Sequence, residues 1–148
     1  MCADLENKLI NTAIIGLGWW GTHIINTLQD KSDKIRFSRA VDVEPGSKLK
    51  FAQSKGFELT NNFVDVLNDP AIEAVVLATP HSMHEEQIIA VAKTGKHVFC
   101  EKPLALTLSS AQRSIAACEE AKIVLGVGHE RRFEPAIQEI ARLIEKGE

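Results

Sequence analysis

The sequence predicts an α/β domain: one parallel sheet with helices on both faces, in a doubly wound arrangement. Three observations carry that expectation. Apolar runs of β-type composition alternate with helical patterns along the 148 residues, and their connections are short. Residues 74–78, Ala-Val-Val-Leu-Ala, are apolar at every position, as a strand covered on both faces requires. A glycine-rich turn, "GLGWWG" at 16–21, joins the first apolar run to the first helical pattern.

Taken in order, residues 12–15 form the first expected strand. Residues 22–28 follow as a helix, with Ile24, Ile25 and Leu28 on one face. The second strand covers 35–41 and ends at Asp42. Pro45 opens a helix running to about Lys55, because proline suits a first helical turn, and Gly56 stops it. A short strand at 57–60 and a short helix at 63–67 precede Asp69-Pro70. After the fourth strand (74–78) comes a helix over 81–94, closed by Gly95, and then a fifth strand over 97–100. Thr107 is the expected N-cap of a helix reaching Ala121, and 123–127 is the sixth strand. The last helix starts near Phe133, presents Phe133, Ile137, Ile140, Ala141 and Ile144 along one face, and ends at Gly147. No internal repeat, low-complexity segment or linker interrupts this series, so 1–148 reads as one domain.

Composition narrows the function classes. Hydrophobic residues at 45% and charged residues at 25% are those of an ordinary globular domain with a single core. Lys and Arg number 17 against 20 Asp and Glu, a net charge of −3 with no basic stripe. That argues against nucleic acid or an anionic membrane as partner. Cys2, Cys100 and Cys118 lack paired spacing, which argues against a disulfide framework or zinc site; Cys100 and Cys118 read as small buried hydrophobes. The opening residues show no signal-peptide pattern and no run approaches the ~18 apolar residues of a membrane span, so a cytoplasmic protein is expected.

The glycine turn has the context that gives its motif meaning, following a strand and opening a helix. Gly16 permits the tight turn, Gly18 lets a pyrophosphate approach the backbone, and Gly21 allows close packing of helix on strand. The phosphates would meet free N–H groups at the helix start, where the dipole favours an anion. Asp42 comes 21 residues after Gly21 at a strand end, placed to bond ribose hydroxyls and repel a 2′-phosphate. NAD is therefore favoured as cofactor, with NADP possible because Lys48 and Lys50 lie close by. Of Trp19 and Trp20, one is expected to pack against the sheet edge and the other to cover the pyrophosphate.

Ligands of an open parallel sheet bind outside the carboxyl ends of its strands. Three segments fall there: "ATPHSMH" (78–84), "CEKP" (100–103) and "GHERRFEP" (128–135). On these the chain resembles the N-terminal domain of the glucose–fructose oxidoreductase / inositol dehydrogenase (Gfo/Idh/MocA) family. "ATPHSMH" is similar to the family's A-T-P-N-x-x-H, with His81 where many members carry Asn. Glu101-Lys102-Pro103 matches its E-K-P, and "GHERRFEP" resembles G-H-x-x-R-F-x-P. A metal pair from His81 and His84 lacks a completing ligand, so no metal is expected.

The resemblance implies a sheet order of 3-2-1-4-5-6 and cofactor contacts from Thr79, Pro80, His81, His84, Glu101, Lys102 and Arg132. It implies further that Lys102 reaches the junction of nicotinamide and substrate. Hydride leaving a carbinol carbon leaves a hydroxyl proton to be removed and a carbonyl to be polarised; an amine beside that oxygen serves both needs. Glu101 would place the lysine or the cofactor, and Pro103 would restrict the segment. Family members also carry a second domain that supplies most of the substrate pocket and the oligomer contacts, so the chain is expected to be an N-terminal fragment of a homo-oligomeric oxidoreductase acting on a sugar, polyol or similar carbinol. The alternatives are a non-catalytic nucleotide-binding or redox-sensing module, and a member using transient oxidation for elimination or glycoside cleavage.

Overall fold

The computed structural model describes residues 8–147, so Cys2 and the opening segment lie outside the described residues. Six strands form one parallel sheet in the order β3-β2-β1-β4-β5-β6. They are β1 (Ile10–Ile15), β2 (Ile35–Val41), β3 (Glu58–Thr60), β4 (Ala74–Leu77), β5 (His97–Glu101) and β6 (Leu125–Gly128). The helices are α1 (Trp19–Leu28), α2 (Leu49–Lys55), α3 (Phe63–Asn68), α4 (His84–Lys93), α5 (Leu108–Glu120) and α6 (Pro135–Lys146). Element order and sheet order match the sequence expectation. β1 and β4 are adjacent although two strands separate them in sequence, so the chain reverses direction across the sheet between them, and ligand crevices open at such a point.

Each sheet face has its own apolar layer. Ile14, Phe37, Ala40 and Val76 meet Ile25 of α1 and Ala52 of α2 on one side. Ala13, Ile15, Val75, Leu77, Val98 and Cys100 meet α3, α4 and α5 through Val66, Ile88, Val91 and Cys118 on the other. The alternation along β1 thus divides one strand between two cores. Both described cysteines are buried, and burial pushes the Cys100 thiol up to about 12, with the Glu101 charge adding to it. They act as packing groups.

Local polar contacts fix the frame. Gln29, just past α1, is buried; its Nε2 donates to the Phe37 carbonyl (3.1 Å) and the Lys55 carbonyl (2.9 Å), and its Oε1 accepts the Phe37 N–H (2.9 Å). One side chain therefore ties α1, β2 and α2 together. Thr107 caps α5 by accepting the Ser110 N–H, and Ser110 returns the bond to the Thr107 N–H, a reciprocal capping box.

Boundaries differ from the sequence reading where 3-10 turns intervene. Residues Pro45–Lys48 and His81–Met83 are 3-10 turns before α2 and α4, and Glu130–Phe133 is one before α6. Helix α1 begins at Trp19, not Thr22, because its first turn follows the glycine turn directly and carries no apolar periodicity. Residues 123–124 precede β6: the Ile123 N–H returns to the Cys118 carbonyl (3.0 Å), so they complete the wrap that ends α5. The Phe133, Ile137, Ile140 and Ile144 stripe is present and solvent-exposed. No helix of the described residues is long and apolar enough to cross a membrane.

Candidate functional site

The site is assembled at the carboxyl ends of β1, β4, β5 and β6. In the β1–α1 turn, Gly16 has φ +94°, and a Cβ there would stand 2.6 Å from the Ala78 carbonyl oxygen. A Cβ on Gly21 would lie 1.9 Å from the Gly16 carbonyl oxygen, so the helix reaches its seat only with glycine at that position. Gly18 differs. Its φ of −63° suits any residue and nothing lies within 4 Å of where a Cβ would be, so its open face is room for a ligand rather than for the protein. As N-cap of α1 without a side-chain bond, it leaves the first N–H groups of the helix free for an anion.

Asp42 closes the turn from β2. Its Oδ2 accepts the Leu17 N–H (2.8 Å) and its Oδ1 accepts the Glu44 N–H (2.9 Å). The carboxylate is thus held in one orientation at the mouth of the turn.

A cavity of about 890 Å³ runs from the turn along the sheet edge, at the upper part of the range for small-molecule sites. Trp19, Trp20, Thr79, His81, Glu101, Lys102 and Arg132 line it, together with Ala78, His129, Glu130, Arg131 and Ile137. Seven expected site residues from four distant segments therefore meet in one hollow. Glu101 is only 8% exposed, and no N–H or O–H of the described residues donates to its carboxylate. Both its oxygens sit 2.7 Å from the point where a Gly128 side chain would start, so the glycine of "VGH" makes room for it. Lys102 is exposed and makes no ion pair among the described residues, and the Lys102–Pro103 peptide is cis.

His84 sits apart from the other expected site residues. It is fully buried and absent from the cavity wall. Its Nδ1 lies 2.9 Å from the Pro103 carbonyl oxygen and its Nε2 3.0 Å from the Thr79 carbonyl oxygen, bracing the loops after β4 and β5 against each other. With each ring nitrogen facing a backbone carbonyl oxygen, neither is turned toward a metal shared with His81. The spacing alone could not show this, since a histidine one turn into a helix reads alike whether it faces ligand or sheet. Replacing His84 with Ala should remove the brace and leave a cavity, costing about 2–4 kcal/mol in denaturant unfolding. A loss below about 1 kcal/mol would mean that the brace contributes little.

Pro80 is exposed ahead of the 3-10 turn, outside the cavity wall. Thr79 Oγ1 donates to Gln87 Oε1 at 2.6 Å, a buried α4 partner that nothing in the motif announced. His129, Glu130 and Arg131 join Arg132 at the wall; the "GHERRF" segment carried that signal, because the 3-10 turn after β6 swings all four toward the same edge.

The turn, its acid and the basic and acidic residues at the neighbouring strand ends match one known pattern. Residues 10–129 fit the model of the oxidoreductase family (GFO_IDH_MocA) with its NAD-binding Rossmann fold. The chain belongs to this family. It is 35% identical over 95% of its length to the uncharacterized oxidoreductase YrbE of Bacillus subtilis, covering 41% of that protein. It is 33% identical over 94% of its length to the scyllo-inositol 2-dehydrogenase (NAD(+)) of the same organism, again covering 41%. Among solved structures, the WlbA dehydrogenase from Bordetella pertussis in complex with NADH and UDP-GlcNAcA superposes with a TM-score of 0.87 at 28% identity. That match covers 95% of this chain and 43% of the dehydrogenase. The chain thus spans about two fifths of the length of these relatives.

Proposed function

We propose that the chain is the cofactor domain of a two-domain NAD-dependent oxidoreductase moving hydride between nicotinamide and a carbinol carbon of a sugar or polyol. The observation that carries this reading is the pairing of Glu101 and Lys102 in the cavity wall, one carboxylate with no hydrogen-bond donor and one lysine with no ion pair among the described residues. A ligand hydroxyl or amide entering the cavity would donate to that carboxylate, and a ligand oxygen would accept from the lysine.

The residues present fit a dinucleotide along the whole edge. Gly18 and the first N–H groups of α1 receive the pyrophosphate, and Asp42 accepts hydroxyls of the adenine-side ribose. Thr79, His81, Glu101 and Arg132 surround the nicotinamide end. NAD, when bound, supplies the hydride acceptor. Lys102 hydrogen-bonds the substrate oxygen, stabilises the charge that develops on it and takes part in moving its proton. A binding module without catalysis has no use for a free amine at that point. The domain that would follow α6 in a longer chain would complete the substrate pocket, in keeping with the relatives' greater length.

Cofactor choice is tested by titrating NADH and NADPH against the quenching of Trp19 and Trp20. NADH should bind more tightly, because the locked Asp42 carboxylate faces any 2′-phosphate with a like charge. Asp42→Asn removes the charge while keeping an oxygen for the Leu17 N–H, and should narrow the gap. Equal affinities in the parent chain, or tighter NADPH, would remove Asp42 from this role.

A further inference from the structure

Trp20 carries the one buried side-chain polar atom of the described residues without a hydrogen-bond partner, its indole Nε1. Native proteins pair nearly all such groups, so an orphan donor calls for an explanation. Three observations locate the cause. The ring lines the same cavity as Glu101, Lys102 and His129, at the first turn of α1. It packs between Trp19, tilted at 5.3 Å, and His23, stacked at 5.1 Å between ring centroids, so its immediate neighbours are aromatic faces. Trp19, 78% exposed, is the member of that group facing solvent.

We propose that Trp20 Nε1–H is a ligand donor, completed by an oxygen acceptor of the bound dinucleotide. This rests on the cofactor reading above and adds to it a specific contact. Two acceptors share the required chemistry: a pyrophosphate oxygen, beside the N-terminus of α1, and the nicotinamide carboxamide oxygen, at the inner end of the cavity. Lodging either one there satisfies a donor that otherwise bears its desolvation uncompensated. Ligand entry displaces Trp19 from over its neighbour. The same step would also shield the pyrophosphate from water.

The chain has two tryptophans, so its indole N–H groups give two resolved signals in a ¹H–¹⁵N spectrum, assigned with Trp19→Phe. Adding NAD⁺ should shift the Trp20 indole signal and slow its exchange with solvent. ADP-ribose separates the acceptors: a matching shift with ADP-ribose assigns the phosphate, and a shift with NAD⁺ alone assigns the carboxamide. Trp20→Phe keeps the ring and removes the donor, and should weaken NADH binding about two- to tenfold. If the Gly16–Gly21 backbone amides respond to NAD⁺ while the Trp20 indole does not, and Trp20→Phe binds NADH as well as the parent, this proposal fails and the cofactor reading stands. If neither the amides nor the indole respond, both fail.

Discussion

Lys102→Ala, in a form of the protein that turns over substrate, is expected to lower kcat on the order of 10²–10⁴-fold while NADH affinity stays within a few-fold. The two effects separate because of where the groups sit. Lys102 lines the cavity just past β5, while Gly18 and the Asp42 carboxylate stand at the β1–α1 turn, outside the cavity wall. Charge develops on the substrate oxygen only as hydride leaves, so an amine acting there favours the transition state over the bound ground state. Lys102→Arg should not restore the rate, since a guanidinium keeps the charge and does not release a proton. Steady-state turnover beside a cofactor titration reads both quantities. Near-normal turnover in Lys102→Ala would make the lysine a scaffold residue.

The turn glycines give the second large effect, and here stability and binding part company. Gly21→Ala places a methyl group 1.9 Å from the Gly16 carbonyl oxygen, a clash with backbone that no rotamer relieves. Helix α1 must shift off the sheet, at an expected cost of about 3 kcal/mol or more in denaturant unfolding. Gly18→Ala meets nothing within 4 Å and keeps an allowed φ, so the fold should lose no more than about 1 kcal/mol from the poorer cap. Its methyl group enters the open space where the pyrophosphate is proposed to sit, and NADH binding should weaken on the order of ten- to a hundredfold. If Gly18→Ala bound NADH like the parent, the open face of Gly18 would not be the phosphate seat.

Much of this was legible in the residues. Six apolar runs with short connections specify a parallel sheet, and the continuous apolarity of β4 marks it as central because both its faces are covered. "GLGWWG" and Asp42 are legible because their spacing between strand and helix follows a known turn, in which Gly16 and Gly21 answer steric demands. Other features depend on where a side chain points after folding. His84 brings its ring inward to two carbonyls, although its motif suggested a ligand contact. Gly128 is glycine on account of Glu101, a neighbour 27 positions away that only the β5–β6 register brings alongside. The 3-10 turns are not legible because such short segments have no apolar period to read. The unpaired indole of Trp20 is a property of its packed surroundings, with no counterpart in the sequence.

The most direct measurement is a crystal structure of this chain with NAD⁺. The account predicts the pyrophosphate over Gly18 and the start of α1, the adenine-side ribose at Asp42, and the nicotinamide between Thr79 and the Glu101–Lys102 pair. A dinucleotide bound elsewhere, or one whose nicotinamide lies away from Lys102 while the phosphates sit on the turn, would contradict it.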